Sequence, residues 1–403
     1  MSRRVFITGY GVISAIGRNA AENYQSLIQK KSGFGRLDVL TTVHRDTIFA
    51  CEVKQTDHNL CDMAGVSISE GYTRTALLAL IALREAIGSA SLTENDVSDC
   101  GFISATTAGG IRELETHYDD LQNPQKTGDF LAYLDTADPG EHTERLADLF
   151  QMRRYIGTVS TACSSSTNAI MLGARLIANR VVDRIICGGS EALSKVTING
   201  FNTLMILDKG HCRPFDENRN GLNLGEGAAY LVLESDEILK QSRRSGIAEL
   251  RGYANVNDAF HQTASSPDGA GAYTAMEQAL AMSGLGVADI DYINAHGTGT
   301  GNNDLAEGLA IKTLFGHQPP PFSSTKPYTG HTTSAAGGVE AVFCMMALQH
   351  DTLFPNLNFM EPMKEVGIKP VTEVRQQAGL KNILSNSFGF GGGATTLLFS
   401  KCL

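Results

Sequence analysis

The sequence predicts a layered α/β fold built from two related halves. Three observations carry this: a long-range internal repeat, strands alternating with amphipathic helices, and glycine clusters placed where strands end. Glycine supplies 42 of 403 residues, about a tenth against a typical ~7%, beside only 11 prolines. That balance predicts tight turns and close backbone approaches rather than flexible linkers.

The elements follow in order. The chain opens on Arg3-Arg4 and VFITGYGVISAIG, which has the outline of a weak signal peptide. Gly9 and Gly11 interrupt its apolar run, so a strand and turn are expected instead. Residues 82–96, ALREAIGSASLTEND, align without a gap to residues 275–289, AMEQALAMSGLGVAD, pairing Leu83 with Met276, Ala86 with Ala279, Ile87 with Leu280 and Leu92 with Leu285. Each reads as an amphipathic helix, a small-residue turn and an acidic loop. Each leads into a short apolar strand, 101–105 or 291–295, ending in a Gly/Thr-rich loop, TTAGG (106–110) or HGTGTG (296–301). Next, TACSSS (161–166) opens the apolar helix TNAIMLGARLIANR, and TGHTTS (329–334) opens AAGGVEAVFCMMAL. Finally GEGAAYLVLES (225–235) parallels GGGATTLLFS (391–400), a glycine turn feeding a strand. The repeat places a boundary near residue 245, giving halves 1–245 and 246–403 that stack about a pseudo-twofold axis as one compact unit.

Composition excludes several classes. With 33 Lys plus Arg against 43 Asp plus Glu the net charge is −10, which argues against a general nucleic-acid-binding surface. An apolar share of 42% and a charged share of 19% argue against disorder. The longest apolar run, residues 76–83, falls far short of the ~20 residues that cross a bilayer, so no membrane span is expected. The eight cysteines show no CxxC pair, which suggests neither a zinc site nor a disulfide framework and favours a reducing cytoplasm.

The repeat also points to chemistry, because matched positions differ. Where the first half has Thr106 at a strand end, the second has His296; where the first has Cys163 at a helix start, the second has His331. Strand C-termini and helix N-termini are favoured ligand positions in α/β folds. A thiol of pKa near ~8.5 is mostly protonated at pH 7, and a helix N-terminus is expected to raise its thiolate fraction. The small Ser/Thr neighbours of Cys163 are expected to leave room for a bulky acyl group. A metal site completed by Asp304 or Glu307 is the competing reading, weakened by the absence of HxH or HExxH spacing.

Taken together, VFITGYGVISAIG, TACSSS, RPFDENRNGLNLGEGA, NAHGTGT, STKPYTGH and NSFGFGGG make the chain resemble, over most of its length, the β-ketoacyl-acyl-carrier-protein synthases. These are Cys-His-His condensing enzymes of the thiolase-like fold, active in fatty-acid and polyketide synthesis. The resemblance implies a decarboxylative Claisen condensation without metal or redox cofactor, the phosphopantetheine arm belonging to the acyl carrier protein. It implies Cys163 as acyl-accepting nucleophile, and His296 and His331 jointly as neutral Nε2–H donors to the malonyl thioester. Lys326 is implied as a required lysine acting through a network with Glu307. The N–H groups of Cys163 and Phe390 are implied as an oxyanion hole, Phe390 with Phe388 as a gate, and Thr298 and Thr300 as contacts of the pantetheine arm.

Phe201 matches an acyl-pocket wall, and Ala108 stands where many chain-elongating members carry a larger aliphatic residue, which would open the pocket to longer, rigid or unsaturated chains. With CSSS at the nucleophile and HCRPFDENRNGLNLGEGA (211–228), the chain looks similar to condensing enzymes of aryl-polyene pigment pathways. Implied partners are acyl carrier protein and either a second copy or a related subunit of chain-length-factor type. The sequence alone does not locate the patch on which carrier protein docks; Arg153, Arg154, Lys209 and Arg213 are candidates, each read more readily as a plain solvated residue. Two alternatives stand beside this reading. A degradative thiolase needs a second cysteine near SFGFGGG, and a non-catalytic chain-length-factor-like subunit does not need Cys163.

Overall fold

The computed structural model describes residues 3–242 and 244–402. Its principal elements are β1 (Val5–Ser14), α1 (Arg74–Ser89), β2 (Gly101–Ala105), α2 (Glu141–Leu149), β3 (Ile156–Val159), α3 (Ser165–Ala178), β4 (Arg184–Glu191), α4 (Lys195–Thr203) and β5 (Gly227–Ser235). The second half contributes β6 (Ala248–Asn257), α5 (Ala270–Ser283), β7 (Tyr292–Asn294), α6 (Gly301–Phe315), β8 (Phe322–Ser323), α7 (Ala336–His350), β9 (Asn382–Phe388) and β10 (Gly393–Lys401).

Strand order among the described residues is β8-β7-β9-β10-β6-β1-β5-β4-β2-β3. Read outward from its centre, each side repeats the other: β1 corresponds to β6, β2 to β7, β3 to β8, β4 to β9 and β5 to β10. The two half-sheets meet edge to edge at Phe6↔Glu249 and Ile7↔Ala248, so the duplicated halves share one continuous sheet. Helix α1 packs on β1, β5 and β4, α5 packs on β6, β10 and β9, and α3 and α7 each touch strands of both half-sheets. This is the expected duplicated, layered α/β architecture.

The central position of α7 follows from its sequence. AGGVEAVFCMMAL is apolar on every face but one residue, and Ala336 through Leu348 are all buried. Helix α3 is different from what its sequence suggested. Its buried first turns are polar, Ser165, Ser166, Thr167 and Asn168, while Arg175 reaches solvent. These side chains stitch the halves together: Ser166 Oγ accepts the Gly338 N–H at 2.8 Å, and Thr167 Oγ1 donates to Ser387 Oγ at 2.7 Å.

In the first half, Ser104 of β2 lies 2.7 Å from His142 Nε2 and 2.6 Å from the Tyr230 hydroxyl, while His142 Nδ1 donates to the Pro139 carbonyl at 2.9 Å. Burial pushes the His142 imidazole down to about 4. An unfolded imidazole titrates near ~6.5, so as pH falls the unfolded chain takes up this proton first. The stability His142 contributes is therefore full above pH ~6.5 and lost progressively toward pH ~4, about 2 kcal/mol of it between pH 6.5 and 5. His142→Gln is expected to flatten the pH dependence of urea unfolding by that amount. An unchanged dependence would show that His142 is not the group responsible.

Candidate active site

Cys163 follows β3 through Thr161 and Ala162, two residues before α3 begins. Ala162 holds φ 52°, a left-handed conformation unusual for a residue with a Cβ. The turn is held by its neighbours: Ser164 Oγ donates to the Thr161 carbonyl at 2.9 Å, and Ser165 Oγ donates to the Ala162 carbonyl at 2.6 Å while accepting the Thr161 N–H. The serines thus tie the turn. Cys163 is 6% exposed, and burial pushes its thiol up to about 11. The Lys326 charge and the N–H groups of Phe390 and Cys163, which face the sulfur, oppose that rise without cancelling it. Desolvation thus works against the gain in resting thiolate expected of a helix start.

His296 lies two residues beyond β7, and its backbone is fixed from α6. Glu307 accepts the N–H groups of His296 and Gly297 at 2.9 and 2.8 Å, and Asp304 accepts those of Thr298 and Phe215 at 2.9 and 2.8 Å. Both carboxylates are thereby engaged with the backbone of the HGTGT loop and of Phe215. Burial pushes Glu307 up to about 7 despite these donors. His331 is held by a backbone bridge with Leu224, its N–H donating to the Asn223 carbonyl at 2.7 Å. Glycine is required here: a Cβ on Gly330, at φ 67°, would lie 2.4 Å from the Leu224 carbonyl oxygen, and one on Gly225 would lie 2.0 Å from that of Thr329.

The two imidazoles meet edge to face, with ring centroids 5.3 Å apart at 85°. Each is 2% exposed. Burial pushes both well below the usual imidazole range, and the Lys326 charge adds to it, so both are neutral. Lys326 Nζ lies 3.2 Å from His296 Nδ1 and 2.5 Å from the His296 carbonyl oxygen. An ammonium only donates, so Nδ1 is the acceptor and the His296 proton sits on Nε2.

The Lys326 network differs from the expected one in its carboxylate. The partner is Glu340 of α7, 2.5 Å away and 3% exposed, and not Glu307. Glu307 and Lys326 grip the same residue from opposite sides, one at the His296 N–H and the other at its carbonyl. Glu340 was missed although it carried a signal: a lone carboxylate in an apolar helix needs a buried cation.

Two cavities converge on Cys163. One, of about 210 Å³, is lined by Cys163, His296, His331, Thr298, Thr300, Phe388 and Phe390 among others. The other, an open cleft of about 730 Å³, is lined by Cys163, Thr107, Ala108, Pro139, Phe201, Thr333 and Phe390 among others. Phe201 and Phe390 stack at 5.8 Å and 18° and border both. Gly389 lets the Phe390 turn approach, since a Cβ there would lie 3.1 Å from the Cys163 nitrogen. Of the basic residues singled out, Arg153 and Arg154 precede β3 and lie at the opposite end of the sheet from Cys163, where Arg154 pairs with Asp99. Parallel β2 and β3 put their N-termini on one edge and the cavities on the other, which removes these two arginines from the mouth. Lys209 and Arg213 belong to the loop that packs beside Gly299. Arg219, not singled out earlier, donates to the carbonyls of Thr300 and Gly301 at the first cavity.

Residues 2–238 match the family "Beta-ketoacyl synthase, N-terminal domain" and residues 247–360 match "Beta-ketoacyl synthase, C-terminal domain". The chain belongs to the β-ketoacyl synthase family. It is thereby one of the thiolase-fold condensing enzymes of fatty-acid and polyketide chain elongation. It is 31% identical to 3-oxoacyl-[acyl-carrier-protein] synthase 2 of Staphylococcus aureus (strain COL), over 99% of both chains. Among solved structures it resembles the ishigamide ketosynthase/chain length factor, with TM-score 0.91 and 29% identity over 100% of both chains. It also resembles the ketosynthase ApeO in complex with its chain length factor ApeC from Xenorhabdus doucetiae, with TM-score 0.85 and 30% identity over 99% of this chain and 98% of that one. Among the described residues, no helix is long and apolar enough to cross a membrane.

Proposed function

We propose that this chain is the catalytic subunit of a 3-oxoacyl-[acyl-carrier-protein] synthase, working in the cytoplasm with acyl carrier protein. The observation that carries the reading is the place of Cys163, shared by a cavity that holds both neutral histidines and a cleft wide enough for an acyl chain. In the first half-reaction the Cys163 sulfur attacks the acyl thioester of the carrier protein; the Cys163 S–acyl bond forms, and the thiol proton leaves with the pantetheine thiol. Because the resting thiol is neutral, the N–H groups of Cys163 and Phe390 act on charge that develops during transfer, at the sulfur and at the carbonyl oxygen.

In the second half-reaction a malonyl thioester occupies the smaller cavity beside Thr298 and Thr300. His296 and His331 donate from Nε2 to its carbonyl, so loss of carbon dioxide leaves an enolate whose oxygen is already hydrogen-bonded. The enolate carbon attacks the acyl carbonyl on Cys163, the thiolate departs, and solvent returns its proton. Phe390, stacked on Phe201, parts the two cavities as a gate, with Phe388 beside His296.

Part of the same proposal is the division near residue 245, with the nucleophile in 1–245 and both histidines in 246–403. Pairing with a second copy, or with a chain-length-factor subunit as ApeO pairs with ApeC, belongs to it also. Ala108 in the open cleft favours a long, rigid chain of the aryl-polyene kind. Lys209, Arg213 and Arg219 are the favoured carrier-protein contacts. A degradative thiolase is disfavoured, because no other cysteine among the described residues lines either cavity. A non-catalytic chain-length-factor role is disfavoured by the intact set of Cys163, His296, His331 and Lys326.

Intact-protein mass spectrometry after incubation with acyl-carrier protein tests the assignment. The expected result is one acyl adduct that maps to Cys163 and is lost in Cys163→Ala. No adduct, or an adduct surviving that substitution, overturns it.

A further inference from the structure

Glu191, the last residue of β4, is 2% exposed and makes no ion pair among the described residues. Its oxygens instead accept five hydrogen bonds. Oε1 accepts from Thr106 Oγ1 at 3.0 Å and the Ala108 N–H at 3.2 Å; Oε2 accepts from the Thr107 N–H at 2.9 Å, the Thr107 hydroxyl, and Ser334 Oγ at 2.6 Å. The first four donors belong to the loop that walls the acyl cleft. The fifth stands three residues after His331, in the turn leading into α7. Thr333, in that turn, also lines the cleft and holds φ 46°. One side chain from the first half thus clamps the acyl wall to the histidine-bearing turn of the second.

We propose that Glu191 is a positioning residue that couples occupation of the acyl cleft to the placement of His331 for decarboxylation. The inference rests on the functional reading above. A chain in the cleft presses on Thr107, Ala108 and Thr333. With a carboxylate tying these together they move as one body, and His331 moves with them. A carboxamide does not do the same work, since its NH₂ end would face a backbone N–H and leave that donor without an acceptor. Ser334→Ala cuts only the histidine side and leaves the acyl wall held.

The test measures malonyl-carrier-protein decarboxylation by enzyme pre-acylated on Cys163 with either a two-carbon or a long straight acyl chain. The parent is expected to decarboxylate about fivefold or more faster with one chain than the other, the size of a modest coupling between sites. Ser334→Ala and Glu191→Gln are expected to bring that ratio close to one, with Cys163 acylation in Ser334→Ala staying within about twofold of the parent. A purely structural loss would lower both rates together and keep the ratio, which overturns the proposal, as does a parent ratio of one. Ser334→Ala alone decides the matter if Glu191→Gln does not fold. A parent that is never acylated overturns the functional reading instead, so the two failures are distinguishable.

Discussion

Lys326→Met is expected to slow malonyl decarboxylation at pH 7 by roughly 10²-fold or more, the scale seen when a preorganised donor to a developing oxyanion is lost. Three effects converge. The ammonium donates to His296 Nδ1, so its loss frees the imidazole to take the other tautomer and rotates the Nε2–H away from substrate. It also fixes the His296 carbonyl, opposite the Glu307 grip. Its positive charge helps hold both histidines below the usual imidazole range. Removing a positive neighbour raises an imidazole's pKa, so decarboxylation by the variant is expected to fall further as pH drops through 7 to 5.5, where the parent stays flat. The substitution also strands Glu340 as an unpaired buried acid, at a cost of about 3–5 kcal/mol. Adding Glu340→Gln is expected to restore much of the melting temperature and none of the decarboxylation. Parent-like activity in Lys326→Met at pH 7 would refute the role given to it.

His331→Ala is expected to separate the half-reactions. Malonyl decarboxylation and condensation fall by roughly 10²–10³-fold, while acylation of Cys163, which uses the N–H groups of Cys163 and Phe390, stays within a few-fold of the parent. Its backbone bridge to Leu224 does not use the imidazole, so the loop keeps its path. Single-turnover acylation followed by mass spectrometry, beside a carbon dioxide release assay, reads both steps. Decarboxylation at the parent rate in this variant would remove His331 from the mechanism.

The duplicated architecture was readable because a helix, a turn and a strand recur with matching apolar positions, and such periodicity survives where identities do not. That Cys163, His296 and His331 meet at one cavity was readable for the same reason: the repeat lines up positions whose chemistry then differs. What escaped detection depends on long-range partners. Nothing local in AAGGVEAVF says which cation meets Glu340, and nothing in GGSEA says that Glu191 spans two loops. Ala162 takes a left-handed turn that its side chain does not advertise, since the serines that hold it also fit an ordinary helix start. Arg153 and Arg154 show that nearness in sequence is not nearness in space. They stand near the nucleophile in sequence, yet a strand that crosses the sheet carries Cys163 away from them.

The N–H groups that face the Cys163 sulfur come from residue 163 itself and from residue 390, in the turn before the last strand. On the ribosome, at about 5–20 residues per second, Cys163 emerges roughly ten seconds to most of a minute before Phe390. Both histidines arrive within that interval as well. A chain stalled before residue 390 carries the Cys163 thiol without the second of the N–H groups that face it. The surroundings of the Cys163 thiol are thus completed only once the segment around residue 390 has been made and folded against it.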